Sequence, residues 1–252
     1  VFSKVSNLDL VEIHLSYKDL EVELDQVLPE RQEIGLVVHA PELFAGDHTL
    51  DLSTADEGYR DHSIRELQRV IDISSDLRSR FRCPDPVLLV TNVGGFSEHR
   101  HLDRDERHPL QQRLIESLGR LNCGGDVEII PQTMPPFPWH FGGQRFHNLF
   151  VDPGFIHSFC EQQGMRVCLD VSHSKLACNH LHLSFRDFLN QILPFTAHLH
   201  LADARDVDGE GLQIQDGEID WVQLFEQINQ HCPKASFIPE IWQGHKNGGE
   251  GA

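Results

Sequence analysis

Three short stretches carry residue types that bind cations or move protons. Asp170-Val171-Ser172-His173 follows the apolar run 167–169, His198-Leu199-His200-Leu201-Ala202-Asp203 ends another, and Glu240 closes Phe237-Ile238-Pro239. Two carboxylates and an imidazole held together offer the oxygen and nitrogen donors that Mn²⁺ or Zn²⁺ takes up, and that Mg²⁺ or Co²⁺ also accepts. A lone polar residue at a strand end is ordinarily a solvated cap. An Asp, a His and a Glu at the ends of successive strands argue instead for one shared site. His198 lies on the same strand face as His200, because side chains alternate with period two. It is expected to fill a deeper layer or make a hydrogen bond.

For these residues to meet, the runs that carry them must be neighbouring parallel strands. Seven apolar, β-rich runs recur, at 11–15, 35–40, 86–93, 127–133, 166–171, 196–202 and 236–242. Helical periodicity lies between most of them: Ile64, Leu67, Val70, Ile71 and Leu77, then Leu110, Leu114, Leu118 and Leu121. Asp152-Pro153, Ser184 and Asp220 supply helix start signals. Alternating strands and helices imply a parallel α/β sheet, either doubly wound or closed. No Gly-x-Gly-x-x-Gly follows any strand, which removes support for a dinucleotide fold. The strand ends carry His39, Asn92, Gln132, Asp170, His200 and Glu240 instead, as expected at the C-terminal face of a TIM (β/α)8-type barrel. No linker or repeat divides the chain, so residues 1–252 are read as a single barrel domain with a Gly-rich tail from Lys246.

Composition narrows the partners. With 39 acidic against 21 basic residues and a formal charge of −18, extended contact with nucleic acid is disfavoured. The apolar runs are strand-length, far short of the roughly 20 residues that span a bilayer, and residues 1–9 have no apolar signal core. The chain is expected to be cytoplasmic and free of membrane contact. Its six cysteines show no Cys-x-x-Cys spacing and are expected to be reduced. Most of the 17 histidines are expected to be solvated, so only position distinguishes a ligand from a bystander.

The ordered set Asp170-x-x-His173, His198-x-His200-x-x-Asp203 and Glu240 resembles the xylose isomerase-like barrels, the superfamily of sugar isomerases, sugar epimerases and endonuclease IV. Val38-His39-Ala40-Pro41 is similar to the family's third strand. Gly209-Glu210-Gly211 and Gly217-Glu218-Ile219-Asp220-Trp221 look like its loop into the seventh helix. The resemblance implies Gln132, Asp170, His200 and Glu240 as metal ligands, with Mn²⁺ or Zn²⁺ favoured. It implies Glu240 as catalytic base supported by His173, with His39 and Arg205 facing substrate. Trp139, His140 and Trp242 are expected to wall a sugar, or else to pack at a loop base. Stretches 131–143 and 239–249 also resemble a barrel domain attached to some sialic-acid-synthase-like proteins.

Two departures shape the expectations. The family's fifth-strand Glu aligns with Gln132, whose amide can ligate a hard cation but adds no charge and cannot act as a base. Residues 11–15 match the family's second strand, so the first is expected to be absent or irregular near Val1. The chain then reads as a domain of a longer protein, partnered by other domains or by its own copies. The activity implied is metal-dependent isomerisation or epimerisation of a sugar or sugar phosphate, by proton abstraction next to a carbonyl. Gln132 points to weak epimerisation, one-base isomerisation or simple binding, and the alternative is a non-catalytic sugar-binding or assembly barrel. Phosphodiester cleavage of the endonuclease IV kind fits less well: the loop bearing Asp206, Asp208, Asp216 and Asp220 has no Asp-x-His, and Thr91-Asn92-Val93-Gly94 lacks a histidine.

Overall fold

The structure, a computed structural model, describes residues 8–83, 85–140 and 143–244. Its parallel strands are β1 (Leu10–His14), β2 (Gly35–His39), β3 (Val87–Thr91), β4 (Val127–Pro131), β5 (Val167–Asp170), β6 (Thr196–Leu201) and β7 (Ser236–Pro239). β1 to β4 pair in sequence order, and β5 to β7 do the same. A bridge between Gln132 and Cys168 joins the two groups, with Thr133 N donating to the Cys168 carbonyl at 3.0 Å. Helices α1 (Glu57–Ser79), α2 (Arg104–Leu118), α3 (Pro153–Gln163), α4 (Val171–Leu181), α5 (Phe185–Ile192) and α6 (Trp221–His231) connect the strands. This is the expected α/β arrangement of a TIM-type barrel.

Local chemistry explains where the helices start. The side chains of Asp56, Asp152, Ser184 and Asp220 accept from the backbone N–H three residues on, satisfying donors that an uncapped first turn would leave orphaned. Helix α3 adds Pro153 in its first turn and ends at Gly164 with φ 62°, a left-handed position suited to glycine. The apolar stripe of α1 (Ile64, Leu67, Val70, Ile71, Leu77) is buried against the sheet, at about 1.5–3 kcal/mol per side chain removed from water.

Period-two alternation divides the core. Val38, Leu89, Leu169 and Leu199 belong to the large cluster that includes the helices, whereas Val37, Val90, Ile130, Cys168 and Ala197 form a small cluster of their own. Two residues further along four of these strands come His39, Asn92, Gln132 and Asp170, all buried. The apolar filling thus gives way to polar side chains at the C-terminal end of the strands.

The apolar runs outlast the pairing. Strand β2 stops at His39, β3 at Thr91, β4 at Pro131, β6 at Leu201 and β7 at Pro239. Gln132, Thr133 and Glu240 therefore lie beyond the ends of their own strands, where the side chains of Gln132 and Thr133 reach Asp170 and that of Glu240 reaches His200. Among the described residues, β1 pairs only with β2 and β7 only with β6. The expected absence of a first strand near Val1 falls on residues 1–7, and the loose tail on 245–252; both lie outside the described residues. The six cysteines are unpaired, and no helix among the described residues is long and apolar enough to cross a membrane.

Candidate functional site

Asp170 ends β5 and also begins α4. Its Oδ1 accepts from His173 N at 2.8 Å, which leaves Oδ2 facing inward. Thr133 fixes the junction: its hydroxyl accepts from Asp170 N at 2.9 Å and contacts Ser174 Oγ at 2.9 Å. The His173 ring is held by Nδ1 against the Thr133 carbonyl at 3.1 Å, with Asp170 Oδ2 at 3.3 Å.

His200 lies between carboxylates. Its Nδ1 is 2.6 Å from Glu240 Oε2 and 3.7 Å from Asp170 Oδ2, and its Nε2 is 3.0 Å from Glu12 Oε2. One ligand atom from each of Asp170, His200 and Glu240 lies within 4.8 Å of the others, so the expected ligand trio converges. Burial works against a charged imidazole, yet Cys168, Glu240 and Asp170 hold the His200 pKa well above the usual histidine value. Cys168 is itself pushed up to about 12 by burial and is a neutral thiol, so the carboxylates carry that effect. Burial alone would raise Glu240, but His200 beside it brings its pKa down to about 2.

Gln132 occupies the middle. Its Nε2 lies 3.2 Å from Asp170 Oδ2 and 3.1 Å from His200 Nδ1, while its Oε1 is 3.1 Å from His39 Nε2. His39 Nδ1 faces the Ala40 carbonyl at 2.8 Å and must donate to it. In neutral His39 the Nε2 is then an acceptor, so the amide has acceptors on both sides and only one donating end. A cation held by Asp170, His200 and Glu240 would resolve the conflict, because the amide could then offer its oxygen to the ion and its NH₂ to His39. The donor set fits a divalent cation, with two carboxylates, an imidazole and a neutral carbonyl.

Sequence reasoning did not single out Glu12 or His14. The Glu12 side chain is 1% exposed and meets His198 Nε2 at 2.8 Å and His14 Nε2 at 2.6 Å, besides His200. Burial would raise its pKa, but His14, His198 and His200 hold it far below the carboxylate range. The available signal was an acidic residue in mid-strand between Val11 and Ile13, which alternation turns inward. Glu12 also forms possible ligand trios with His14 and His39 or with His198 and His200. There, however, its Oε2 already serves two imidazoles. His198 behaves as expected: fully buried, with Nδ1 on Ser236 Oγ at 2.7 Å.

Two clefts open beside the cluster. One, of about 300 Å³, is lined by His14, His39, Glu42, Gln132, His173 and Glu240. The other, of about 370 Å³, is lined by Asp170, His173, Glu210, Glu240 and Trp242 among others. His39 thus lines the first cleft and Trp242 the second, Trp242 at 75% exposure. Arg205 does not line either cleft; it is exposed and donates to the Asp216 carbonyl. Asp203 is wholly buried and builds the loop after β6, accepting from Ala204 N, Gln215 N, Ile219 N and Trp221 Nε1. The side chains of Trp139 and His140 lie outside what the structure describes.

A family model for the xylose isomerase-like TIM barrel matches residues 4–252. No curated protein sequence matches the chain. Among solved structures, a D-tagatose 3-epimerase-like protein is similar at 18% identity and TM-score 0.66, over 94% of this chain and 84% of that one. An L-ribulose 3-epimerase is similar at 13% identity and TM-score 0.62, over 93% and 71%. The IolI protein, solved with a bound zinc atom, is similar at 12% identity and TM-score 0.62, over 92% and 79%.

Proposed function

The chain belongs to the xylose isomerase-like TIM barrel family, and from that premise we propose that it is a divalent-metal-dependent isomerase or epimerase of a sugar or sugar phosphate. The observation that carries this reading is the convergence of Asp170, His200 and Glu240 around Gln132 at the mouth of two clefts. Asp170, His200, Glu240 and the Gln132 carbonyl would hold the ion, Mn²⁺ or Zn²⁺. When bound, it would polarise the substrate carbonyl and ease loss of the neighbouring proton.

The chain's own residues divide the remaining work. Glu240, ionised at neutral pH, is the base that takes the proton from carbon. His173 borders both clefts and presents Nε2, 3.8 Å from Glu210 Oε2, to a substrate hydroxyl, since Nδ1 is committed to Thr133 and Asp170. His39 stands on the far side of Gln132, and exposed Trp242 offers an apolar face to a sugar ring. The solved structures named as sugar epimerases favour a ketose as substrate.

The test is incubation of the Mn²⁺-supplemented protein with D-fructose, D-allulose and their 6-phosphates, followed by NMR. Interconversion that disappears in Glu240→Gln supports the reading; turnover unaffected by that change overturns it. A second reading, a sugar-binding barrel without catalysis, is favoured by the neutral amide of Gln132. It is the outcome if sugars bind and none turns over.

A further inference from the structure

Gln132 leaves the site one proton carrier short, because an amide neither accepts nor releases a proton at neutral pH. Inverting a carbon centre needs an acid to complement the base Glu240. The hairpin after β6, which pairs Asp203–Arg205 with Gly209–Leu212, brings a carboxyl to the same cleft. Glu210 lines the cleft of about 370 Å³ together with Asp170, His173 and Glu240. Its Oε2 is 3.8 Å from His173 Nε2, and its side chain is 48% exposed, so no tight ion pair commits it.

The backbone around Glu210 is fastened to both walls of the cleft. Gly211 N donates to Ser172 Oγ at 3.0 Å, and Trp242 N donates to the Gly211 carbonyl at 2.7 Å. Gly211 has φ 66°, and a Cβ there would stand 3.2 Å from that of Trp242, so a glycine is required for this close approach. The hairpin thus holds Glu210 at the cleft instead of letting it sweep through solvent.

We propose that Glu210 is the second acid–base residue of this site, supplying the proton that the amide of Gln132 cannot. The inference rests on the isomerase reading above. Glu240 removes the proton from the carbon beside the carbonyl; the C–H electron pair forms the C=C bond of an enediolate and the carbonyl π pair moves to oxygen. Glu210, as the carboxylic acid, returns a proton to that carbon from the other side. The C=C pair makes the new C–H bond and the oxygen pair restores the carbonyl. Glu240 ends protonated and Glu210 ionised, and exchange with solvent resets both. Burial, with Asp170, Glu42 and Glu240 nearby, raises the Glu210 pKa against the pull of His173, in the direction that favours the acid form.

Proton exchange and inversion can be read separately in D₂O by following Mn²⁺-loaded protein with D-fructose and D-allulose by NMR. The wild type is expected to exchange the carbon-bound proton and to form the epimer. Glu210→Gln should still exchange that proton in the one epimer whose C–H faces Glu240 and lose exchange in the other, while epimer formation falls by about 10²–10⁴-fold. Glu210→Asp should recover part of it. The fall of wild-type epimerisation toward high pH should be absent from the residual activity of Glu210→Gln. Epimer formation by Glu210→Gln at the wild-type rate, or loss of exchange with both sugars in step with inversion, overturns the role of Glu210. Absence of exchange by the wild type with either sugar overturns the isomerase reading, and this inference falls with it.

Discussion

Glu12 and His200 meet inside the barrel, Glu12 Oε2 lying 3.0 Å from the imidazole Nε2, while Glu240 holds Nδ1 at 2.6 Å. A carboxylate on the outer nitrogen fixes the ring and leaves the inner nitrogen for a cation.

Glu12→Gln should therefore damage both stability and cation binding. The change removes the charge from a carboxylate on which His198 and His200 depend, and breaking such a buried arrangement costs about 3–5 kcal/mol. Loss of the outer partner should weaken cation affinity by about 10–100-fold. Urea denaturation in EDTA and Mn²⁺ calorimetry check the two effects, and unchanged affinity would remove Glu12 from any role in holding His200.

Gln132→Glu tests the neutral ligand. A third carboxylate beside Asp170 and Glu240 makes the shell more anionic, and Mn²⁺ and Zn²⁺ should bind at least about tenfold more tightly. If titration shows the variant binding no better, residue 132 does not touch the ion.

The pH dependence of the metal-free protein follows from the shifted groups. Glu12 and Glu240 are depressed, so their contribution is complete above the ordinary carboxylate range and is lost as pH falls, through about 2 for Glu240. His200 is raised, so its contribution is complete below the ordinary histidine value and is lost as pH rises through its folded pKa. Thermal unfolding in EDTA should show greatest stability between these limits, with a shallower acid limb in Glu240→Gln. Cation affinity should run the other way on the alkaline side, climbing with pH because His200 must release the Nδ1 proton to become a ligand.

Gly217→Ala should loosen the loop that carries Glu210. A Cβ at position 217 would stand 2.2 Å from Asp203 Oδ1 and 2.4 Å from the Ala204 carbonyl, so the loop must shift. The expected destabilisation is about 1–3 kcal/mol, measured by chemical denaturation. Wild-type stability would show that the loop adapts without strain.

The sequence alone determined much of the frame. The apolar runs, the caps at Asp152, Ser184 and Asp220, and the polar ends of successive strands are local features, set by period-two alternation and by the chemistry of a helix's first turn. They placed Asp170, His200 and Glu240 on one face and anticipated that His198 would sit deeper. What local pattern does not contain is which inward side chains meet across the barrel. Glu12 and His200 are 188 positions apart, and only the curvature of the sheet brings β1 opposite β6. Arg205, which the family resemblance puts at the substrate, shows the same dependence: the turn of its hairpin sets its guanidinium against the Asp216 carbonyl. Glu210 reaches the cleft because Ser172 and Trp242, distant in sequence, fasten the backbone at Gly211. Contacts of this kind depend on how the strands curve and how the loops fold back, and so the tertiary structure alone decides them.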